Sequence, residues 1–318
     1  MVKTKNKMKK TKMLKFLVGW PQTVYNISME EFHIQVLLSE VLEMLKPGVG
    51  ESYLDLTAGY GGHASKILTA TQNYKGATLI DRDEFACNYL QEKFKQKPVE
   101  IINQDFYSAA WQKIECGKKY DIILADFGIS SVQVDRSERG FSFMKEGELD
   151  MRMDRRQKLT AAEIVNKWSE RELTEILVKY GELSAGLARK MAKRVVMNRP
   201  FNTTLELAEC VANGVYGKKH PATQVFQAIR IAVNDELGLI EKTLSLIVKL
   251  LNPGGRVGFI TFHSLEDRLV KQFLKEKSGF GEESELIILN KNPVTAGIDE
   301  LVINPRARSA KLRVAERR

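Results

Sequence analysis

From Val36 to Leu45 the run VLLSEVLEML repeats apolar residues at helical spacing, and KPGVGE then interrupts it with proline and glycine. The pattern predicts a helix ahead of the first strand. Four short apolar runs follow, ESYLDLT, GATLIDRD, PVEIINQDF and YDIILADFG, with the helical stretches HASKILTATQ and EFACNYLQEKFKQ separating the first three. Strand and helix alternate as a parallel sheet requires, which predicts the α/β class.

After Gly128 the alternation stops. From about Val134 to His220 the chain carries helical patterns such as AAEIVNKWSERELTEILVKYG and LSAGLARKMAKRVVMN without clear strands. One long helix, VFQAIRIAVNDELGLIEKTLSLIVKLL, is then expected before strand signals return in GGRVGFITFHS, ELIILN and AKLRVAE. The arrangement predicts one Rossmann-like domain divided between residues 26–133 and 221–318, with a helical domain inserted at 134–220. No period of 20 to 50 residues repeats, which argues against a solenoid.

Composition narrows the partners. The 318 residues are 43% hydrophobic and 28% charged, with a mean hydropathy of -0.26, and no apolar run approaches the ~20 residues of a membrane span. A soluble, cytoplasmic protein with no membrane role is expected. Cys87, Cys116 and Cys210 are far apart, with no C-x-x-C pair, so a reducing interior and no metal site are expected. The net charge of +9 favours a polyanionic partner, because lysine and arginine release counterions from phosphates. Seven lysines and no acid fall between Met1 and Trp20. Residues 1–25 are expected to form a disordered basic tail, with weak nucleic-acid contact as the alternative.

The candidate chemistry lies at the strand ends, where open parallel sheets collect ligands. Asp55 ends the first strand, Asp81 the second, Asp105 and Phe106 the third, and Asp126 the fourth. Glycines at 59, 61 and 62 let the chain turn sharply. The loop with Asp81 reads equally as a dinucleotide fingerprint or a methyl-donor site. Asp55 favours the methyl donor, because it attracts an ammonium group and repels a pyrophosphate. In DFGISSVQ, Asp126 and Ser130 are candidate catalytic acceptors for the protons of an exocyclic amine, with a helix N-cap and turn as the plainer reading.

Several long stretches are similar to one family. HIQVLLSEVLEML, TAGYGGHAS, IDRD, SERGFSFMKEGELDMRMD, HPATQVFQAIRIAVNDEL, PGGRVGFITFHSLEDRLVK and NPRARSAKLRVAER resemble the RsmH (MraW) family of bacterial small-subunit ribosomal RNA cytosine-N4 methyltransferases. The resemblance spans almost everything after residue 32. It implies a Rossmann-like domain dependent on S-adenosylmethionine with a helical insertion, acting on a cytidine near the decoding centre of 16S-type rRNA, free or in the assembled small subunit.

It also implies donor-binding roles for Gly61, Gly62, His63, Asp81, Phe106, Asp126 and Gln133. Asp81 would hold the ribose, Phe106 would pack near adenine, and Gln133 would reach the donor from the edge of the insertion. The chain departs from the family pattern at Gln35 and Val132, where proline is usual, and at Gln224, where the family carries arginine. For the RNA, the candidates are Arg139 and Arg152, which accompany Phe141 and Phe143, together with His263, Arg306 and Arg308. Arg189, Lys190, Lys193, Arg194 and Arg199 form a further acid-free basic run, either a solvated helix or a phosphate contact. Two other classes remain open at this point: an NAD-dependent oxidoreductase, and a non-catalytic RNA-binding assembly factor.

Overall fold

The computed structural model describes residues 35–214, 220–279 and 284–318, which fall in one compact unit; the basic tail expected at 1–25 lies outside the described residues. Seven strands form one sheet: β1 (Tyr53–Asp55), β2 (Ala77–Asp81), β3 (Glu100–Asn103), β4 (Tyr120–Asp126), β5 (Leu251–Thr261), β6 (Leu286–Ile288) and β7 (Lys311–Arg317). Their order is β3-β2-β1-β4-β5-β7-β6. The first five strands pair in parallel, and β7 runs antiparallel to both β5 and β6. Strand order reverses between β1 and β4, so the loops leaving those two strands diverge and open a crevice at their carboxyl ends.

The expected helices take their places around this sheet. They are α1 (Leu38–Leu45), α2 (Gly62–Thr71), α3 (Glu84–Lys93), α4 (Phe106–Glu115) and the short α5 (Ser131–Asp135). Both sheet faces are covered, which explains why the strands read as unbroken apolar runs. In β4, Ile122 and Leu124 join the core beneath α1 and α2, whereas Ile123, Ala125 and the following Phe127 join the opposite core. No helix among the described residues is long and apolar enough to cross a membrane.

The inserted region contains α6 (Ala161–Lys167), α7 (Glu170–Lys179), α8 (Ala185–Met197) and α9 (Thr204–Ala212). Ser169 with Glu172, and Thr203 with Glu206, close reciprocal capping boxes at the starts of α7 and α9. These helices share a core of their own, which continues through Val225, Phe226, Ile229 and Val233 of α10 (Pro221–Asn234). Phe141 is buried in that core, and Phe143 stacks on His220 with ring centroids 4.9 Å apart.

The single long helix expected from Val225 to Leu251 is instead broken into α10, α11 (Glu236–Leu244) and α12 (Ile247–Leu250). Asp235 takes a left-handed φ of 45° between the first two. The break is held by a bidentate pair between Arg230 and Glu236, with both contacts 2.9 Å. Helical periodicity continues across such a turn, so the pattern alone conceals it. The next strand begins at Leu251, ahead of the Pro-Gly-Gly that appeared to precede it, and its register against β4 shifts between Tyr120 and Ile122 to accommodate those residues. The remaining helices are α13 (Ser264–Lys277) and α14 (Ile298–Ile303).

Candidate functional site

Three carboxylates stand at the ends of adjacent strands. At the end of β2, Asp81 accepts the Gly59 N–H on Oδ2 and the Asp83 N–H on Oδ1, both at 2.8 Å. Burial pushes its carboxyl up to about 6. At the end of β1, Asp55 is only 2% exposed; it accepts the Tyr53 hydroxyl at 2.7 Å and the Thr57 N–H at 3.1 Å. Burial raises it to about 7. Asp55 therefore lies behind the site wall rather than at an open strand end, because both of its oxygens are committed to the first strand and its loop.

Asp126, at the end of β4, is different. Its backbone N–H donates to Thr57 Oγ1 at 2.6 Å, but its side-chain Oδ1 is buried and accepts no hydrogen bond among the described residues. Burial, and then the charges of Asp55 and Glu266, hold its carboxyl well above the usual carboxylate range. Such a cluster of acids disfavours further negative charge and is relieved by a cation.

His63 lies beside this carboxylate. Its Nε2 is 3.0 Å from the Val36 carbonyl, and its Nδ1 is 3.8 Å from Asp126 Oδ2. With Nε2 donating to Val36, the ring turns Nδ1 toward the acid.

The glycine loop is shaped by its own packing. Gly59 and Gly61 have φ values of 52° and 70°, which favour glycine. A Cβ on Gly61 would come within 2.8 Å of Leu90 Cδ2, and one on Gly62 within 2.2 Å of the Gln35 side chain. Gln35 thus rests on the first turn of α2.

The loop after β4 joins a buried polar network. Ser130 Oγ accepts the Gln133 N–H, and Gln133 Oε1 accepts the Ser130 N–H, so these two residues cap α5 reciprocally. Gln133 Nε2 donates to Asp83 Oδ2 at 2.8 Å. Arg139 Nη1 donates to the same oxygen at 2.9 Å, and its Nη2 donates to the carbonyls of Arg152 and Met153. The sequence suggested that Arg139 faces RNA; at 5% exposure it is instead an internal partner of Asp83. Asp83 joins Asp81, Gln133 and Arg139, yet sequence reasoning passed over it. Its place two residues after Asp81 in IDRD was the available signal.

Other expected residues divide similarly. Phe106 is buried at the start of α4, with its ring centroid 5.8 Å from that of Phe127. Arg152 forks onto Asp150, with the shortest contact 2.6 Å, and donates to the carbonyls of Arg155 and Gln157, so its guanidinium is also committed internally. His263 caps α13 through Glu266, a residue with 0% exposure whose Oε2 accepts the Phe262 and His263 N–H groups. Gln224 donates to the Gly181 carbonyl at 2.8 Å. At the rim, Arg306 pairs with Asp135 of α5 at 2.7 Å, and Arg308 is exposed. The structure thus brings His63 beside Asp126, links Gln133 to Asp81 through Asp83, and turns Arg139 and Arg152 inward.

A family model described as the MraW methylase family matches residues 30–318. A protein from Nostoc sp. named ribosomal RNA small subunit methyltransferase H is 44% identical over 292 residues, covering 90% of this chain and 92% of the relative. One of the same name from Trichodesmium erythraeum is 45% identical, covering 90% of this chain and 99% of its own. A solved structure of a putative rRNA methylase from Clostridium thermocellum aligns over 90% of this chain and 99% of that one, at 11% identity and a TM-score of 0.44.

Proposed function

Because the chain belongs to the MraW methylase family, we propose that it transfers a methyl group from S-adenosylmethionine to the N4 amino group of one cytidine in small-subunit ribosomal RNA, in the cytoplasm. The observation that carries the chemistry is the carboxylate cluster with the buried, unpartnered Asp126 Oδ1. The residues present fit a cationic donor. A dinucleotide would bring phosphate charge into the field of Asp55, Asp81 and Asp126, which argues against the oxidoreductase alternative.

When bound, S-adenosylmethionine supplies a methyl carbon on a positively charged sulfur. Asp81 is assigned to the ribose hydroxyls, Phe106 to the adenine, and the loop at Gly61, Gly62 and His63 to the rest of the donor. Gln133 and Ser130 hold the loop that presents Asp126. The N4 nitrogen is a poor nucleophile because its lone pair is delocalised into the ring, so alignment and polarisation of its N–H bonds are what the protein must supply. Asp126 Oδ1 accepts one amino N–H, aims the lone pair, and receives the proton that the nitrogen sheds as its new bond to carbon forms. Its raised proton affinity suits that role.

No enzyme nucleophile is needed. The Cys87 thiol, the one nearest Asp81, donates to the Asp81 carbonyl and is pushed up to about 12 by burial. The segment 134–220, inserted between residues 26–133 and 221–318, is assigned to substrate recognition.

Incubation of small ribosomal subunits from cells lacking the modification with radiolabelled donor, followed by nucleoside analysis, tests this reading. Label is expected on N4 of cytidine and strongly reduced with Asp126→Asn. Label in a ring carbon or a ribose hydroxyl would overturn it, and binding without incorporation would favour the assembly factor.

A further inference from the structure

The basic run between Leu183 and Leu205 looked uniform in sequence, but its five cations have two different fates. Arg194 donates to the carbonyls of Cys210 and Asn213 and closes the end of α9. Arg199 donates to the carbonyls of Val165 and Trp168 and closes the end of α6. Both satisfy helix-terminal acceptors that would otherwise lack partners.

Arg189, Lys190 and Lys193 are exposed, and among the described residues none has an ion-pair or hydrogen-bond partner. They share one side of α8. Its buried side is formed by Ala188, Met191, Ala192 and Val195, whereas Gly186 and Met197 extend the exposed stripe at helical spacing before and after the cations. The adjacent helices α6 and α7 neutralise cations within themselves, through Lys167 with Glu163 at 3.1 Å and Arg171 with Glu175 at 2.9 Å. Helix α8 contains no acid with which to do so.

The stripe begins at the rim of the site. Glu182, three residues before α8, accepts the Ser264 hydroxyl and pairs with Arg268 at 3.3 Å, both on the first turns of α13. That helix leaves the carboxyl end of β5, where Ile260 lies opposite Asp126. From Ala185 to Lys193 the helix rises about 12 Å, so the cations lie within about that length of the end of α8 that Glu182 ties to α13.

We propose that Arg189, Lys190 and Lys193 form a backbone track for the ribosomal RNA, gripping phosphates next to the nucleotide being modified. This rests on the rRNA methyltransferase reading above. Phosphate contacts of this kind fix position without reading sequence, and each released counterion leaves a signature in the salt dependence of binding.

The test compares the wild type with the triple variant Arg189→Gln, Lys190→Gln, Lys193→Gln, using in vitro transcribed small-subunit rRNA as the probe at salt concentrations from 50 to 300 mM. Loss of three contacts to a single strand should make the slope of log K against log salt shallower by about 2. The KM for RNA should rise about tenfold or more, with kcat at saturating RNA and S-adenosylmethionine affinity unchanged. The charge-keeping variant Lys193→Arg should behave as wild type. An unchanged slope in a variant that still binds S-adenosylmethionine overturns the track and leaves the methyltransferase reading intact. Absence of methyl incorporation by the wild type into small ribosomal subunits that lack the modification would instead overturn that reading. Should the triple variant fail to bind the donor, Lys193→Gln alone decides, with a slope change of about 0.7 expected and none overturning the proposal.

Discussion

Lowering the pH should weaken donor binding through Asp81, by an amount the structure sets. Asp81 is held at about 6 in the donor-free protein, chiefly by burial. A cationic donor requires the ionised form. About nine-tenths of such a group is ionised at pH 7 and about one-tenth at pH 5, so the affinity should fall by about tenfold, or ~1.4 kcal/mol, across that interval. The donor itself does not titrate there: its sulfonium charge is permanent, and an α-amino group with a pKa of about 7.7 to 8.0 stays largely protonated.

Asp55, at about 7, and Asp126 share the field and can only steepen the loss. Titration calorimetry at pH 7, 6 and 5 and constant ionic strength measures it. Repeating the pH 5 titration in buffers of different ionisation enthalpy should reveal about one proton released from Asp81. Asp81→Asn should bind more weakly at pH 7 and lose about a tenfold share of the pH dependence. A wild-type constant that moves by less than about twofold between pH 7 and 5, or an Asp81→Asn protein with the full wild-type dependence, would refute the reasoning.

Two stability predictions follow from the buried charges. Arg139→Gln leaves Asp83 without its ionic partner and should lower stability by about 3 to 5 kcal/mol in urea denaturation, while leaving the salt dependence of RNA binding unchanged; a loss below about 1 kcal/mol would show that the pair is not structural. Asp55 has a folded-state pKa above its unfolded value, so the folded protein binds more protons between about pH 4 and 7, and the stability contributed by Asp55 is lost as pH rises through that window. Donor-free Asp55→Asn, with the Tyr53 hydroxyl still able to bond the amide, should therefore gain more stability over wild type at pH 8, at most about 4 kcal/mol, than at pH 5, where roughly 1.5 kcal/mol is expected. Equal effects at the two pH values would contradict this assignment.

The sheet was legible because each strand combines a short apolar run with a turn signal, and because strand and helix alternate up to Gly128. The acids at the ends of β1, β2 and β4 were legible for the same reason, since their positions follow from the strands. What periodicity could not supply is which charges meet. Arg139 stands in a glycine-punctuated polar stretch that reads as surface, and the carboxylate that draws it inside lies 56 residues earlier in the chain. Arg194 and Arg199 are indistinguishable by composition from Lys190 and Lys193, yet they close helix ends that only the fold brings within reach. Asp235 carries no proline or glycine to announce the turn between α10 and α11.

The Asp83 network also bears on how this protein could be taken apart. Connectivity invites excision of residues 134–220 as a cassette, with the cut ends rejoined across the sheet domain. That deletion would remove Arg139 and leave Asp83, 5% exposed, with the Gln133 amide but no compensating cation. Asp83 in turn donates its N–H to Asp81, so the injury would reach the pocket edge. A minimal catalytic core would therefore have to retain the segment through Met153, and grafting this insertion onto another sheet would require an acid at the position of Asp83 to receive it.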